Sequence, residues 1–223
     1  MTTVSLSFTV SLAVTADDVR DACAVRADAY AHHVPCLHDA LTRPDVQDGQ
    51  RGTAIVLCRD KDTGRAIGTA RIQRNAAAPL RLESTAVLPP WLAEQPRAEV
   101  SRLAVLPGAA PLTRLALMKA GYLYCLASQV RWMVIGARSD ALVRIYQGLG
   151  FRDVPGPDGS VLRGQADNVP LRILAFDIAT AERTWLASGH GLYSFMFETY
   201  HRDLQLFPED RVPCRVGEVR QAA

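Results

Sequence analysis

The chain has 223 residues, of which 25 are Lys or Arg and 23 are Asp or Glu, giving a formal net charge of +2. With 48% hydrophobic and 22% charged residues, the composition is that of an ordinary globular protein and excludes disordered or fibrous chains. The basic residues are scattered rather than gathered in a stripe, so nucleic acid is not an expected partner.

The first fifteen residues predict a strand rather than an export signal. Apolar residues from Val4 to Val14 alternate with Ser, Thr and Ala, and no Lys or Arg precedes them. No apolar run reaches the roughly 20 residues that a transmembrane helix needs. The five cysteines are odd in number and contain no CxxC pair, which favours a reduced, cytoplasmic protein.

Strands and helices then alternate along the chain. Thr15 and Asp18 predict the start of a helix over 16–31, which a polar, turn-rich loop over 32–52 follows. Further on, the patterns predict strands at 53–59, 66–74, 82–87, 100–106, 130–137 and 171–178, and helices at 112–128, 140–149 and 193–207. This order implies parallel pairing within a mixed sheet. We therefore predict one α/β domain over residues 1–223, with a core at about 16–178 and a C-terminal helical extension at about 188–208.

The segment 98–151 contains a strand ending in Val105-Leu106-Pro107, a loop, a helix, a second strand and a helix closing in Tyr146-Gln147-Gly148-Leu149-Gly150-Phe151. This order, and its ending Tyr-x-x-Leu-Gly-Phe above all, resembles the GNAT acyltransferase superfamily. The resemblance implies two parallel central strands that splay apart and admit the pantetheine arm of a thioester donor. It also implies that backbone N–H groups near Leu103, Ala104 and Val105 hold the arm and stabilise the oxyanion.

The loop after the first of these strands departs from the superfamily. Most members carry glycines there, which bring the backbone close to the coenzyme A pyrophosphate at a helix N-terminus. Here Ala110, Thr113 and Leu115 stand at the aligned positions, and a side chain hinders such an approach. Residues between Gly108 and Thr113 remain candidates for contact with the donor. An acyl carrier protein presents a single phosphodiester and needs less of this cradle, so we favour it over coenzyme A as the donor.

A narrower resemblance lies upstream, over residues 26–102. Glu99-Val100-Ser101-Arg102 looks like the Glu-x-Ser-Arg signature of the acyl-homoserine-lactone synthases and the N-acyl amino acid synthases. Asp45-Val46-Gln47-Asp48 and Gly68-Thr69-Ala70-Arg71 resemble their Asp-x-x-Asp and Gly-x-x-Arg motifs, and Arg26 matches an arginine on their first helix. The four motifs occur in the same order as in those families.

The resemblance suggests roles for these residues. Glu99 is the candidate general base, Ser101 a residue that orients the acceptor, and Tyr146 a general acid for the leaving thiolate. Period-two geometry predicts Glu99, Ser101 and Leu103 on one face of their strand and Val100, Arg102 and Ala104 on the other.

The remaining charged motif residues form one candidate group. Arg26, Arg71, Arg102, Asp45 and Asp48 form either a carboxylate-binding cluster, with Arg71 and Arg102 touching the substrate, or a structural ion-pair network that orders the loop 32–52.

Two further groups of residues are candidates for a functional role: a histidine-rich loop and the C-terminal aromatic residues. His32, His33, Cys36, His38 and Asp39 crowd one loop, but their spacing is too compact for a usual zinc site, and we predict no metal. The C-terminal aromatic residues either wall a tunnel for a long acyl chain or pack in the core; they are Trp185, Tyr193, Phe195, Phe197, Tyr200 and Phe207.

The sequence thus predicts an N-acyltransferase without a tightly bound cofactor. It would move a medium or long acyl group from acyl carrier protein or coenzyme A to an amino acid or small amine. Two alternatives remain open: an acetyl-coenzyme A-dependent N-acetyltransferase, and a non-catalytic module that binds acyl thioesters.

Overall fold

The computed structural model of the protein describes residues 2–31, 33–166 and 168–207. Within these residues the strands are β1 (Thr2–Val4), β2 (Phe8–Leu12), β3 (Thr53–Asp60), β4 (Ala66–Arg74), β5 (Arg97–Val105), β6 (Trp132–Ala137), β7 (Arg152–Asp153), β8 (Arg163–Ala166), β9 (Val169–Asp177), β10 (Thr199–His201) and β11 (Leu204–Gln205). The helices are α1 (Ala16–Ala31), α2 (His38–Leu41), α3 (Pro90–Ala93), α4 (Thr113–Ala127), α5 (Asp140–Gly148) and α6 (Ala181–Ala187). None of the helices in these ranges is long and apolar enough to cross a membrane.

A mixed sheet organises the molecule, as predicted. Its strand order is β11-β2-β3-β4-β5-β6-β9-β7, with β8 added to β9, and β5 and β6 are parallel neighbours at its centre. Helices α4, α5 and α6 pack on one face, where Leu117, Tyr146 and Trp185 share the largest apolar cluster. Helix α1 and the segment 80–93 cover the other face, where Leu82 and Leu92 pack against Val134.

The strongest local signals of the sequence are confirmed. Helix α1 begins where Thr15 and Asp18 predict, because the Thr15 Oγ1 accepts a hydrogen bond from the Asp18 N–H and the Asp18 carboxylate accepts one from the Thr15 N–H, each 3.1 Å long. The hairpin β3–β4, helices α4 and α5, and strands β5, β6 and β9 also lie within a few residues of their predicted positions.

The predicted C-terminal helix over 193–207 is wrong. A short π-helical turn, Ser194–Glu198, is followed by β10 and β11, which pair in parallel with β1 and β2. Lys119 of α4 holds this segment, since its ammonium donates hydrogen bonds of 2.6 Å to the carbonyls of Phe195 and Thr199. These are contacts between distant parts of the chain, so the local pattern that resembles a helix does not decide the structure.

Two other predictions need correction. The segment 82–87 contains no strand; a 3₁₀ turn, Arg81–Ser84, begins there, and the Glu83 carboxylate accepts a hydrogen bond from the Leu80 N–H. The loop 32–52 contains short helical turns, among them α2 and Val46–Gly49. The alternation of apolar residues along 4–14 is divided between β1 and β2.

Among the C-terminal aromatic residues, Trp185 is buried in the core and Tyr193, Phe195 and Phe197 pack against it, whereas Tyr200 and Phe207 are exposed. The Trp185 ring contacts Phe176 and Phe197 edge-on, with centroids 6.3 and 5.6 Å apart, and Tyr122 and Tyr193 contact Phe197. None of these rings lines the central cleft described below. They fix α6 and the following turn against α4.

Gly150 allows the chain to leave α5. Its φ of +86° belongs to the left-handed region, and a Cβ there would lie 2.6 Å from the Trp185 Nε1. We expect Gly150→Ala to lower the free energy of unfolding by about 2–4 kcal/mol, measured by chemical denaturation. Gly148→Ala is the control: a Cβ there meets nothing within 4 Å, so we expect no loss of stability. Equal effects of the two substitutions would contradict this account.

Candidate active site

The two central parallel strands part in the middle of the sheet. Strands β5 and β6 pair from Arg97 and Trp132 to Val100 and Ile135, where the ladder ends. Beyond that point β5 continues along β4 to Val105, and β6 continues along β9 to Ala137. Within the described chain, the β5 edge that faces β6 therefore has no strand partner from residue 101 to 105. This confirms the predicted gap.

A bulge in β5 lies at the start of the gap. Thr69 and Arg71 of β4 face Ala104 and Ser101, so β5 holds one extra residue there, and Arg102 adopts a φ of +55°. The prediction of strict alternation is therefore wrong beyond Ser101. Arg102 turns to the face of Ser101 and Glu99, whereas Leu103 joins the opposite face and packs against the cluster below α4.

A cleft occupies the gap and passes through the sheet. Its walls come from both strands and both faces of the sheet, as well as from α1, α5 and the β8–β9 hairpin. The described residues lining it are Tyr30, Leu37, Arg81, Glu99, Val100, Ser101, Arg102, Leu103, Ile135, Gly136, Arg138, Leu142, Tyr146, Ala166, Val169 and Leu171. The three predicted catalytic residues, Glu99, Ser101 and Tyr146, all belong to this wall.

Glu99 lies one residue before the pairing ends and is 5% exposed. Its Oε2 accepts a hydrogen bond of 2.9 Å from the Leu82 N–H. Burial raises the pKa of Glu99, against the opposing effects of that hydrogen bond and of the charges on Arg81 and Arg71. A carboxylate with a raised pKa, at the lip of a cleft, has the properties of a general base.

The charged motif residues meet beside the cleft. The Arg26 Nη1 donates to both oxygens of Asp48 at 2.9 Å, and the Arg71 Nη1 donates to Asp45 at 2.6 Å and to Asp48 at 3.3 Å. Arg102 contacts the second oxygen of Asp45 at 3.3 Å. Asp45 and Asp48 also cap the turn Val46–Gly49 reciprocally. The group is therefore an ion-pair network that orders this part of the loop.

The network reaches the cleft through two residues. The Arg71 Nε donates to the Ser101 Oγ at 3.1 Å, and Arg102 lines the wall itself. Arg71 and Arg26 are almost completely buried and do not line the cleft, so the expectation that Arg71 contacts the substrate is not supported. Arg71 instead orients Ser101. Burial favours a raised pKa for Asp45, but the hydrogen bond and charge of Arg71, together with Arg102, lower it to about 2.

Tyr146 projects from α5 into the cleft. It is buried, its ring lies 5.9 Å from that of Phe151, and burial raises its pKa to about 12. The phenol is therefore protonated at neutral pH and is a hydrogen-bond donor toward the gap. At this pKa it is a weak acid, so donation of a hydrogen bond describes its capacity better than complete proton transfer.

The predicted donor-binding residues divide into three groups. Leu103 lines the cleft, and Val105 lines a neighbouring groove between α4 and α5 that also contains Arg114 and Arg144. Ala104 is buried, and Gly108 has a φ of +78° in an exposed turn. Thr113 is completely buried over Gly68, so it cannot contact a donor in this structure, contrary to expectation.

Three cleft residues have no signal in the sequence analysis. Arg81 comes from the proline-rich segment, Arg138 follows the end of β6, and Tyr30 lies near the end of α1. Arg81 and Arg138 thus add two guanidinium groups to the wall of the cleft. Among the described residues, no three His, Cys, Asp or Glu side chains are grouped as a metal site requires. His32 and the side chain of Cys36, which belong to the predicted histidine-rich loop, lie outside the part of the chain that the structure describes.

Several solved structures share this architecture. FeeM, an N-acyl amino acid synthase from uncultured soil microbes, superposes with a TM-score of 0.61 at 16% identity, covering 85% of this chain and 98% of FeeM. BjaI, a coenzyme A-dependent acyl-homoserine lactone synthase, gives 0.57 at 17% identity and covers 87% and 93%. An acetyltransferase of the GNAT family from Staphylococcus aureus Mu50 gives 0.52 at 11% identity and covers 77% and 99%.

The protein therefore has the GNAT acyltransferase fold, with its splayed central strands. Its fold is shared with N-acyl amino acid and acyl-homoserine lactone synthases in particular. No protein-family model and no curated protein sequence matches the chain.

Proposed function

We propose that the protein is an N-acyltransferase that moves an acyl group from a pantetheine thioester to the amine of an amino acid or small amine. The observation that carries this proposal is the end of the β5–β6 ladder at Val100 and Ile135, with Glu99 one residue before it. The fold shared with FeeM and BjaI supports the same class of reaction.

The chemistry follows from the walls of the cleft. The acceptor nitrogen attacks the thioester carbonyl and loses a proton to Glu99, directly or through a water molecule. Backbone N–H groups on the unpaired edge of β5, near Leu103 to Val105, stabilise the oxyanion. The C–N bond forms, the C–S bond breaks, and the departing sulfur receives a hydrogen bond from Tyr146 and takes up one proton.

The described thiols are consistent with this direct attack. Burial raises the pKa of Cys58 and Cys125 to about 12 and raises that of Cys23 as well, so none of the three forms a thiolate nucleophile readily. All three are also unpaired and buried. This state fits a reducing compartment, and we keep the cytoplasm as the proposed location.

The donor enters along the face of α4 and α5. The groove beside Val105 leads toward Leu103 and the cleft, and the exposed Arg114 and Arg144 at its rim suit a phosphate group. Thr113 and its neighbours offer no glycine cradle for a pyrophosphate. Acyl carrier protein, which presents one phosphodiester, therefore remains the favoured donor, with coenzyme A as the alternative.

The apolar part of the cleft favours an acyl chain longer than acetyl. Leu37, Leu142, Val169 and Leu171 line it on both sides of the gap. Because each buried methylene contributes about 0.8 kcal/mol, we expect kcat/KM to rise about fourfold per added methylene until the wall ends. Donors graded from two to about twelve carbons test this expectation, and a maximum at the two-carbon donor would contradict it and support the acetyltransferase.

One experiment tests the activity itself. The protein is incubated with acyl carrier protein and coenzyme A thioesters of each chain length and with pooled amino acids and amines, and the products are identified by mass spectrometry. We expect an amide whose formation depends on the protein. Binding of thioester without any product, unchanged by Glu99→Gln, would overturn the proposal in favour of a non-catalytic module.

A further inference from the structure

Arg138 stands out among the residues of the cleft. It follows the last residue of β6, on the wall opposite Glu99, and its guanidinium carbon lies 4.8 Å from the centre of the Tyr30 ring. Tyr30 belongs to α1, so this contact bridges the helix and the end of the splayed strand. Both residues line the cleft.

The stacking leaves the guanidinium prepared for an anion. An aromatic ring covers one face of the planar group and limits its motion, whereas the N–H donors point outward in the plane. No described carboxylate lies within ion-pair distance of Arg138, unlike Arg102, which contacts Asp45. A partly buried arginine with this geometry suits the bidentate binding of a carboxylate.

The charge of the cleft points in the same direction. Among the described residues that line it, Glu99 supplies the one carboxylate, and Arg138 lies on the opposite wall. A simple alkylammonium ion could contact Glu99 but would offer no anion to Arg138. An amino acid is a zwitterion, so its carboxylate is attracted by Arg138 while its amine is presented to Glu99.

A phosphate of the donor is the other anion to consider. The groove with Arg114 and Arg144 lies between α4 and α5, on the opposite face of the sheet from α1 and Tyr30. The donor arm enters from that face in the proposed function, which separates its phosphate from Arg138.

We propose that Arg138, held by Tyr30, binds the carboxylate of the acceptor, and that the enzyme therefore acylates amino acids in preference to simple amines. This inference rests on the proposed acyltransferase function. Arg138 is then the residue that determines the acceptor class, and Tyr30 is its positioning residue.

The test compares the standard amino acids with their carboxamides as acceptors, using one acyl thioester donor. The wild type should prefer the acids. Because one charge-assisted contact is lost, Arg138→Gln should raise the KM for the acid by about 10- to 100-fold and should reduce the preference for acid over amide toward one. The KM for the donor should not change, and Arg138→Lys should recover part of the preference. Tyr30→Leu should raise the acceptor KM by a smaller factor.

Arg20→Gln is the control for loss of charge, since Arg20 is exposed on the outer side of α1 and its side chain is 68% accessible. Three results overturn the inference while leaving the acyltransferase intact: a wild type that accepts acids and amides equally, an Arg138→Gln variant with unchanged preference, or one with a raised donor KM. A wild type that acylates no acceptor overturns the proposed function, and the inference falls with it.

Discussion

Replacing Glu99 with Gln is expected to lower kcat/KM by about 10²- to 10⁴-fold, because the amide cannot accept the proton of the attacking amine. The amide oxygen still accepts the hydrogen bond from the Leu82 N–H, which the wild-type carboxylate accepts at 2.9 Å. The substitution therefore removes the charge and keeps the contact. Initial rates with the best donor and acceptor measure the effect.

The pH dependence of the rate gives a second, independent measure of the role of Glu99. Burial raises the pKa of Glu99, so the wild-type rate should fall as the pH decreases through a value above the pKa of an ordinary glutamate. Glu99→Gln should abolish this fall in rate at acidic pH. A raised folded-state pKa also means that the stability contributed by Glu99 is present at low pH and is lost as the pH rises through that value. At neutral pH the variant should thus be no less stable than the wild type.

Glu94→Gln is the matched control, since Glu94 is exposed outside the cleft. It should leave the rate and its pH dependence unchanged. If Glu99→Gln retains kcat/KM within threefold, or if it loses activity only in proportion to a loss of folded protein, then Glu99 is not the base and its role is to hold Leu82.

The largest expected effect on stability comes from Asp48. Its side chain is 1% exposed, and it accepts hydrogen bonds from Arg26 and Arg71, which are themselves buried. Asp48→Asn leaves two guanidinium groups in the interior without this negative charge. We expect the free energy of unfolding to fall by about 3–5 kcal/mol, measured by urea denaturation.

Asp39→Asn is the control within the same loop, because the Asp39 carboxylate is fully accessible; it should change the free energy of unfolding by less than about 0.5 kcal/mol. If Asp48→Asn fails to fold, the network is tested instead by comparing the acid-induced unfolding of the wild type with that of Asp45→Asn. The pKa of Asp45 is lowered to about 2, so its contribution should be lost as the pH falls from about 4 toward 2. A wild type and an Asp45→Asn variant with the same acid profile would contradict the network's role.

The site was predictable to the extent that its residues lie in contiguous motifs. Glu99, Ser101 and Arg102 follow one another on β5, and Asp45 and Asp48 cap a single turn, so spacing and residue type identify them. Arg138 and Tyr30 belong to different elements and carry no motif; only the packing of α1 against the sheet brings them together.

The errors have a common physical cause. Strict alternation along β5 fails at Arg102 because the bulge adds a residue, and the sequence shows no glycine to mark the positive φ. Thr113, at the start of α4, is buried because Gly68 of β4 leaves room for it. In both cases the deciding contact is with a neighbouring strand and is not encoded by adjacent residues.

The amino-acid sequence by itself determined the longer strands and helices between residues 16 and 178, though not the short elements of 32–52, 81–93 and 152–166, because apolar periodicity, helix caps and turn residues act between positions close in the chain. The tertiary structure alone decided where the β5–β6 ladder ends, how the C-terminal segment joins the sheet, and which arginines face the cleft. These features depend on pairing and packing between residues far apart in sequence, and local sequence patterns do not predict such contacts.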